Sequence, residues 1–346
     1  MSTRITIENS PAQILRRAKQ SICDESDQIA QELCGAIGSA GCVFANSVEE
    51  GICISLISAG VMPGEKVLCS GFAPPYVRAA IMRAGAFPLR VDINPNSFNI
   101  DPFCLDYAVG KCIRDRDKLP KAIIVSDIFG LPCNYDAICR ISDNHDMSLI
   151  EDMGDAFGAE YCGNAAGSFG RFSVAALPDV GAIFCQRKED REIIKHETLH
   201  RDIVRFVTAN LAAAWLRDSK IRIEKRGAIA EAYRRALDGV CRTQHVEASY
   251  KSAYTGFAAV IPNHANKAEI IEKLSEKGIV CGNFKPEPDP IDTLERIMLV
   301  NAKNASARLI TLPIDHNMTI HMADKIAQEF VATIHYLQQQ SDIISP

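Results

Sequence analysis

The chain has 346 residues, of which 47% are hydrophobic and 23% are charged, and its formal net charge is −5. These values are typical of a folded protein with a sizeable core, and the negative charge argues against a nucleic-acid-binding protein. A basic cluster at Lys220–Arg226 includes Glu224 and has a helical pattern, which predicts a solvated helix face.

Cysteine usage predicts a reducing compartment. The chain has 13 cysteines, an odd number, and they are scattered without a C-x-x-C pair. This favours buried structural thiols over disulfides or a metal site. The N-terminus lacks an apolar signal core, and no apolar run reaches the roughly 18 residues of a membrane span. We therefore expect a cytoplasmic protein that binds neither membrane nor metal.

Apolar runs rich in β-branched residues alternate with helical patterns through the first two thirds of the chain. The predicted strands are Cys42–Ala45, Lys66–Ser70, Phe87–Asp92, Lys121–Ser126, Ser148–Asp152, Arg171–Ala175 and Ala182–Gln186. The predicted helices between them are Val48–Ala59, Tyr76–Ala84, Pro102–Val109 and Tyr135–His145. This alternation predicts an α/β fold with a mostly parallel seven-stranded sheet flanked by helices.

After Gln186 the pattern changes to long helices, predicted at Val207–Lys220 and Ala228–Leu237 on either side of Gly227. A second unit follows, with strands at Thr255–Ile261 and Gly278–Gly282, helices at Lys267–Lys277 and His321–Gln338, and an extended loop at Lys285–Pro290. We therefore predict a large domain over residues 1–238 and a smaller α+β domain over residues 239–346.

Three stretches, Pro63–Pro102, Leu149–Val174 and Arg308–Thr319, carry a family resemblance. In this order and spacing they resemble the DegT/StrS-type sugar aminotransferases, which share the fold type I architecture of pyridoxal phosphate (PLP) enzymes. The likeness runs from about Ile37 to about Leu337. It implies a dimer with active sites at the subunit interface, and amino transfer from glutamate to a keto-sugar on a nucleotide carrier.

The resemblance assigns several site residues. Asp152, in the Glu151-Asp152 pair, matches the aspartate that binds the protonated pyridine nitrogen of the cofactor. A carboxylate that caps the turn at Gly154 is the alternative interpretation. Asp155 stands where the family usually has glutamine or histidine near the ring. Ser173 matches a serine that contacts the cofactor phosphate, and a buried strand serine is the alternative.

The Schiff-base lysine of the family has no counterpart, because residues 150–187 contain no lysine. Its position falls near Pro178, and the histidine that a related dehydratase group uses there is also missing. The closest lysines, Lys188 and Lys195, are predicted to lie on the surface. A Schiff base needs an amine, so we expect no covalently bound cofactor. Non-covalent binding of PLP or of pyridoxamine phosphate (PMP) is left open.

Two further parts of the cofactor site depart from the family pattern. The pair that normally binds the phosphate falls on Val48 and Glu49, and Ser47 and Glu50 instead form a predicted capping box. A phosphate about 5 Å from Glu49 would meet repulsion of roughly 3–6 kcal/mol at an effective dielectric near 20. The aromatic that covers the ring falls on Pro74, and Phe72 or Tyr76 replaces it only if the backbone shifts.

Three hypotheses follow from this pattern. The first is a homologue that does not transaminate and serves as a partner subunit, in a homodimer or a heterodimer with an active paralogue, or as a binding protein for a sugar nucleotide or small metabolite. The second is an enzyme of altered chemistry that uses non-covalent PMP, or uses Asp152 and Asp155 as acid and base. The third is an ordinary aminotransferase whose lysine comes from elsewhere.

Overall fold

The computed structural model describes residues 27–154, 156–177, 180–197, 205–263, 265–284 and 299–344. A helical segment over residues 27–37 precedes the labelled elements. The strands are β1 (Gly41–Ala45), β2 (Lys66–Ser70), β3 (Phe87–Val91), β4 (Ala122–Ser126), β5 (Ser148–Gly154), β6 (Glu160–Tyr161), β7 (Asn164–Ala165), β8 (Phe172–Leu177), β9 (Val180–Cys185), β10 (Arg242–Thr243), β11 (Tyr250–Lys251), β12 (Phe257–Val260) and β13 (Leu309–Leu312). The helices are α1 (Val48–Ser58), α2 (Pro75–Arg83), α3 (Pro102–Arg114), α4 (Tyr135–Asn144), α5 (Lys188–Glu197), α6 (Arg205–Leu237), α7 (Lys267–Glu276), α8 (Val300–Arg308) and α9 (Ile320–Ile344).

The main sheet has seven strands in the order β1-β9-β8-β5-β4-β2-β3. Strands β8, β5, β4, β2 and β3 run parallel to one another. Both faces of the sheet are covered: α1 and α2 pack on one face with Ile124 and Val174, and α3 and α4 pack on the other with Ile123 and Val125. The predicted α/β fold with a mostly parallel seven-stranded sheet is confirmed.

One end of the sheet is antiparallel, which the sequence did not reveal. Strand β9 pairs antiparallel with β8 and with β1, and Leu177 faces Val180 in the first of these pairs. Only two residues separate Leu177 from Val180. A parallel crossover needs a dozen or more residues, so a connection this short forces an antiparallel hairpin.

The C-terminal part of the chain forms a three-stranded antiparallel sheet in the order β10-β12-β13. Helices α6, α7 and α9 bury Tyr233, Ile270 and Phe330 in a core with β12 and β13. A third small sheet pairs β11 with β6, and so joins Tyr250 to Tyr161. The domain bounds 1–238 and 239–346 stay a prediction.

Three predicted elements differ from the structure. The helices predicted at Val207–Lys220 and Ala228–Leu237 are one helix, α6, which continues through Gly227. A glycine inside a helix costs only about 1 kcal/mol, and here it does not break the helix. The strand predicted at Gly278–Gly282 is absent from the described structure except for a bridge between Gly282 and Thr311. Val280 is 79% exposed, so this apolar run lacks the burial that a core strand requires.

Within the described residues, no helix combines the length and the apolar character that crossing a membrane requires. The cysteines of this part of the chain are all free thiols. The predicted loop at Lys285–Pro290 lies outside the described residues.

Candidate functional site

A cavity of about 320 Å³ lies at the carboxyl ends of β4 and β5. Its wall includes Ser126 and Asp127 from the end of β4, Asp152 and Gly154 from the end of β5, and Val48 from the start of α1. In open α/β sheets this edge is where ligands bind, because the loops that leave the strands diverge there. The cavity is therefore the candidate site.

Asp152 is buried in the wall of this cavity, and groups from β4, α2 and the turn at Gly154 donate hydrogen bonds to it. The Ser126 hydroxyl donates to Oδ2 at 2.7 Å, and the Gly154 amide donates to Oδ1 at 3.1 Å. The Tyr76 hydroxyl lies 3.3 Å from Oδ1 and 3.2 Å from Oδ2. Asp152 thus caps the turn at Gly154 and also lines the cavity, and its contact with a cofactor nitrogen stays a prediction.

Tyr76 is the site residue that sequence reasoning undervalued. Both Pro74 and Tyr76 line the cavity, whereas Phe72 is fully buried and packs against Phe98 and Phe284. Tyr76 lies on the first turn of α2 and reaches Asp152 by its hydroxyl. The structure therefore places an aromatic ring at the cavity and uses its polar end to bind the carboxylate.

The start of α1 has its own side-chain caps. Ser47 is the N-cap residue, and its hydroxyl oxygen accepts the Glu50 amide at 3.1 Å. The Glu50 carboxylate accepts the Asn46 amide at 2.9 Å, one residue before the position that a standard capping box uses. The predicted cap at Ser47 is confirmed, but the Glu50 carboxylate accepts the amide of Asn46 where a standard capping box uses that of Ser47.

Glu49 and Glu50 place two carboxylates in the first turn of α1. Arg83 of α2 lies 3.7 Å from Glu49 and 3.6 Å from Glu50. This guanidinium was not foreseen, and it reduces the formal local charge from −2 to −1. The repulsion of a phosphate at this helix end is therefore smaller than the two carboxylates alone would give.

Strand β9 closes on the same helix end. A Cβ at Gly181 would lie 2.5 Å from the Ser47 carbonyl oxygen and 3.1 Å from the Val48 nitrogen. These are backbone atoms, which cannot move aside as a flexible side chain can. Only glycine at this position lets β9 pack against the first turn of α1.

Ser173 lies on β8, inside the main sheet, and is not part of the cavity wall. It is fully buried, and its hydroxyl donates to the Gly167 carbonyl at 2.7 Å. It is not among the residues that line the cavity. The structure places Ser173 as a satisfied buried strand serine, which was the alternative to a phosphate contact.

The two other assigned residues, Asp155 and Pro178, lie outside the described residues. Among the described residues that line the cavity there is no lysine, arginine or histidine. Lys188 and Lys195 both lie on α5 and do not line it. No described side chain in the cavity wall can therefore supply an amine.

A second buried carboxylate, Asp127, lines the same cavity. Its Oδ1 accepts the Tyr135 hydroxyl at 2.8 Å and the Cys133 amide at 2.9 Å, and no hydrogen-bond donor reaches its Oδ2 among the described residues. Burial, followed by the nearby charge of Glu151, raises the pKa of Asp127 well above its usual value. Asp127 is therefore a neutral acid at pH values where an exposed aspartate is ionised.

Glu151, one strand away, belongs to the same buried acidic group. Burial raises its pKa to about 7, against the opposing effect of backbone amides that include Gly167. Its carboxylate accepts hydrogen bonds from the Gly167 and Phe169 amides. Because β4 and β5 are adjacent, these two acids lie close enough to influence each other.

The chain is similar to known proteins in both sequence and fold. A family model described as "DegT/DnrJ/EryC1/StrS aminotransferase family" matches residues 6–177 and 205–331. The chain is 24% identical over 275 residues to the putative pyridoxal phosphate-dependent aminotransferase EpsN of Bacillus subtilis, a match that covers 72% of this chain and 70% of EpsN.

Two further similarities agree with this match. The chain is 29% identical over 150 residues to the UDP-2-acetamido-2-deoxy-3-oxo-D-glucuronate aminotransferase of Pseudomonas aeruginosa, covering 43% of this chain and only 40% of that enzyme. The structure is similar to the PMP form of the putative sugar aminotransferase Spr1654 of Streptococcus pneumoniae, with a TM-score of 0.82 and 18% identity over 92% of both chains. At that identity the structural likeness shows the fold.

Proposed function

Because the chain belongs to the DegT/DnrJ/EryC1/StrS aminotransferase family, we propose that it is a member that does not transaminate through a Schiff base. It serves instead as a partner subunit or a ligand-binding protein in an amino-sugar, polysaccharide or natural-product pathway. The observation that carries this proposal is the cavity at Asp152, in whose wall no described residue offers an amine.

The cavity residues fit PLP in part. Asp152 stands where a protonated ring nitrogen needs a carboxylate, but its oxygens already accept hydrogen bonds from Tyr76, Ser126 and Gly154. A ring nitrogen at this carboxylate would compete with the Tyr76 hydroxyl. This competition supports weak and non-covalent binding of any pyridoxal compound.

The helix end that would receive the phosphate is also a poor fit. Ser47 and Glu50 satisfy amides at the start of α1, and β9 packs closely on the same turn at Gly181. Arg83 compensates only one of the two carboxylates. An anion there gains fewer free amide donors and meets a net negative charge, so the residues do not fit the phosphate tail of a coenzyme.

A partner role is consistent with the retained fold. In closed dimers each subunit presents the same surface, so a chain that keeps the architecture can replace one subunit of an active pair. The direct test mixes this chain with a lysine-containing family member from the same organism. Native mass spectrometry should show a mixed dimer, or calorimetry should show that this chain alone binds a nucleotide sugar.

An assay of amino transfer by this chain alone tests whether the proposal is wrong. With PLP, glutamate and a keto-sugar nucleotide, the purified chain should release no 2-oxoglutarate above a protein-free control. A turnover that requires PLP and the folded chain would overturn the proposal.

Altered chemistry is the second candidate, and a specific observation favours it. Asp127 and Asp152 line one cavity, and burial raises the pKa of Asp127 well above its usual value. A neutral acid and a hydrogen-bonded carboxylate can act as proton donor and acceptor on the same ligand. Loss of a cofactor-free sugar conversion in Asp127→Asn, with the fold retained, is the result this candidate predicts.

A further inference from the structure

A second cavity, of about 520 Å³, lies between the loop after β3 and the C-terminal sheet. Its polar lining comes from Arg242 on β10, Arg308 at the end of α8, and Asn301 and Asn304 on the same helix. The loop is tied to β10 through Gln244, whose amide donates to the Ser97 and Ile128 carbonyls at 2.7 and 3.0 Å. The walls of this cavity are thus joined by direct hydrogen bonds.

The two arginines face the cavity without a carboxylate partner in the described part of the chain. Arg308 donates from Nε to the Ile261 carbonyl at 2.8 Å, and its Nη2 donates to the same oxygen. That carbonyl orients the guanidinium but does not neutralise its charge. Among the described residues, no salt bridge involves Arg242 or Arg308. The Arg171 guanidinium, by contrast, lies 2.8 Å from a carboxylate oxygen of Asp190.

Two uncompensated cations at one cavity are unfavourable in the free protein. Arg242 is an exposed residue, and its partial desolvation, followed by the charge of Arg308, lowers its pKa from the ordinary value. A bound anion would remove this repulsion, and a guanidinium is suited to bidentate contact with phosphate oxygens. Asn304 adds a neutral hydrogen-bonding group without negative charge, whereas the Asn301 amide already donates to the Ile93 carbonyl at 3.1 Å.

This cavity is separate from the one at Asp152. Phe98 lines the cavity of the two arginines and Phe129 lines the other, and their rings pack edge to face with centroids 6.3 Å apart. A ligand at the arginines therefore lies behind the aromatic wall of the first cavity. The charge at the two sites also differs, since acidic residues dominate the first.

We propose that Arg242 and Arg308 form a binding site for a phosphate-bearing ligand, with a diphosphate group as the best match. Two guanidinium groups complement the two or more negative charges of a diphosphate better than the single charge of a carboxylate. The cavity volume exceeds that of an inorganic ion, so an organic group attached to the phosphate has room. This proposal goes beyond the proposed function and does not depend on it.

The test is calorimetric titration of the full chain with inorganic pyrophosphate. We expect one saturable site, and Arg242→Gln should weaken it about ten- to a hundredfold, because a charge-assisted hydrogen-bonding group is lost. Arg235→Gln, which removes an exposed arginine of α6, is the matched control and should leave the affinity unchanged. Succinate should bind at least about tenfold more weakly than pyrophosphate, because it lacks the phosphate oxygens.

A second variant keeps the test decisive if Arg242→Gln does not fold. Arg242→Lys retains the charge and loses the bidentate geometry, so several-fold weaker binding is expected. The proposal is overturned if the wild type does not bind pyrophosphate, if Arg235→Gln weakens binding as much as Arg242→Gln, or if succinate binds as tightly as pyrophosphate.

Discussion

The hydroxyl of Tyr76 lies 3.3 and 3.2 Å from the two carboxylate oxygens of Asp152, across 76 residues of sequence. Together with Ser126 and Gly154, it solvates a buried carboxylate from within the protein. Both carboxylate oxygens of Asp152 therefore have hydrogen-bond donors from the protein itself.

Removing this hydroxyl should lower stability. Tyr76→Phe deletes a donor to a buried carboxylate, and we expect a loss of about 1–2 kcal/mol in the free energy of unfolding, measured by urea denaturation. Tyr107→Phe is the control, since Tyr107 is exposed on α3 and should change stability by less than about 0.5 kcal/mol. Equal effects of the two substitutions would show that the Tyr76 bond contributes nothing.

The raised pKa of Asp127 predicts that the stability of the folded protein depends on pH. Its pKa is raised in the folded protein, so between the unfolded and the folded pKa the folded state binds more protons than the unfolded chain. Its contribution to stability is fully present below the unfolded value near 3.8 and is lost as pH rises through the folded value. Asp127→Asn keeps a neutral side chain at every pH and should reduce the fall in stability as pH rises above the unfolded value near 3.8.

In the Asp127→Asn variant, the free energy of unfolding should still fall with rising pH up to about 7. The cause is Glu151, which still titrates there and has a folded pKa of about 7. Asp106→Asn removes an exposed carboxylate of α3 and serves as the control. Urea denaturation at several pH values gives the slopes. A slope for Asp127→Asn as steep as that of the wild type would refute the neutral-acid assignment.

Gly181 should not tolerate a side chain. Gly181→Ala places a Cβ 2.5 Å from the Ser47 carbonyl oxygen, and we expect a loss of about 1–3 kcal/mol or more from the forced backbone shift. Gly35→Ala is the matched control, because its Cβ would meet nothing within 4 Å. If thermal unfolding shows the two variants to be equally stable, the close packing of β9 on α1 is not rigid.

The acidic end of α1 predicts that a phosphate group gives no gain in binding. By fluorescence titration, pyridoxal should bind the chain at least as tightly as PLP. Glu49→Gln should raise the affinity for PLP about tenfold and leave that for pyridoxal unchanged, since one negative charge near the tail is removed. Glu32→Gln, on the helical segment over residues 27–37, controls for net charge. Much tighter binding of PLP than of pyridoxal by the wild type would contradict the argument.

Local patterns were enough to predict most of the fold. The strand at Lys66–Ser70 was predicted at its observed bounds, and the cap at Ser47 followed from four consecutive residues. Both signals depend on neighbours in sequence, so no knowledge of tertiary contacts was needed.

The site contacts could not be predicted in the same way. The bond from Tyr76 to Asp152 and the ion pairs of Arg83 with Glu49 and Glu50 join different elements. The closeness of Asp127 and Glu151 depends on β4 lying next to β5, and strand order is not encoded in periodicity. Contacts between distant segments therefore limited the prediction of the site more than the prediction of the helices and strands.

The central claim is that no lysine of this chain holds a pyridoxal cofactor at Asp152. The most direct measurement is borohydride reduction of the chain after incubation with PLP, followed by peptide mass mapping of each lysine. The account predicts partial labelling spread over exposed lysines, unchanged by Asp152→Asn. Labelling of one lysine, such as Lys188 or Lys195, at one cofactor per chain and lost in Asp152→Asn, would contradict it.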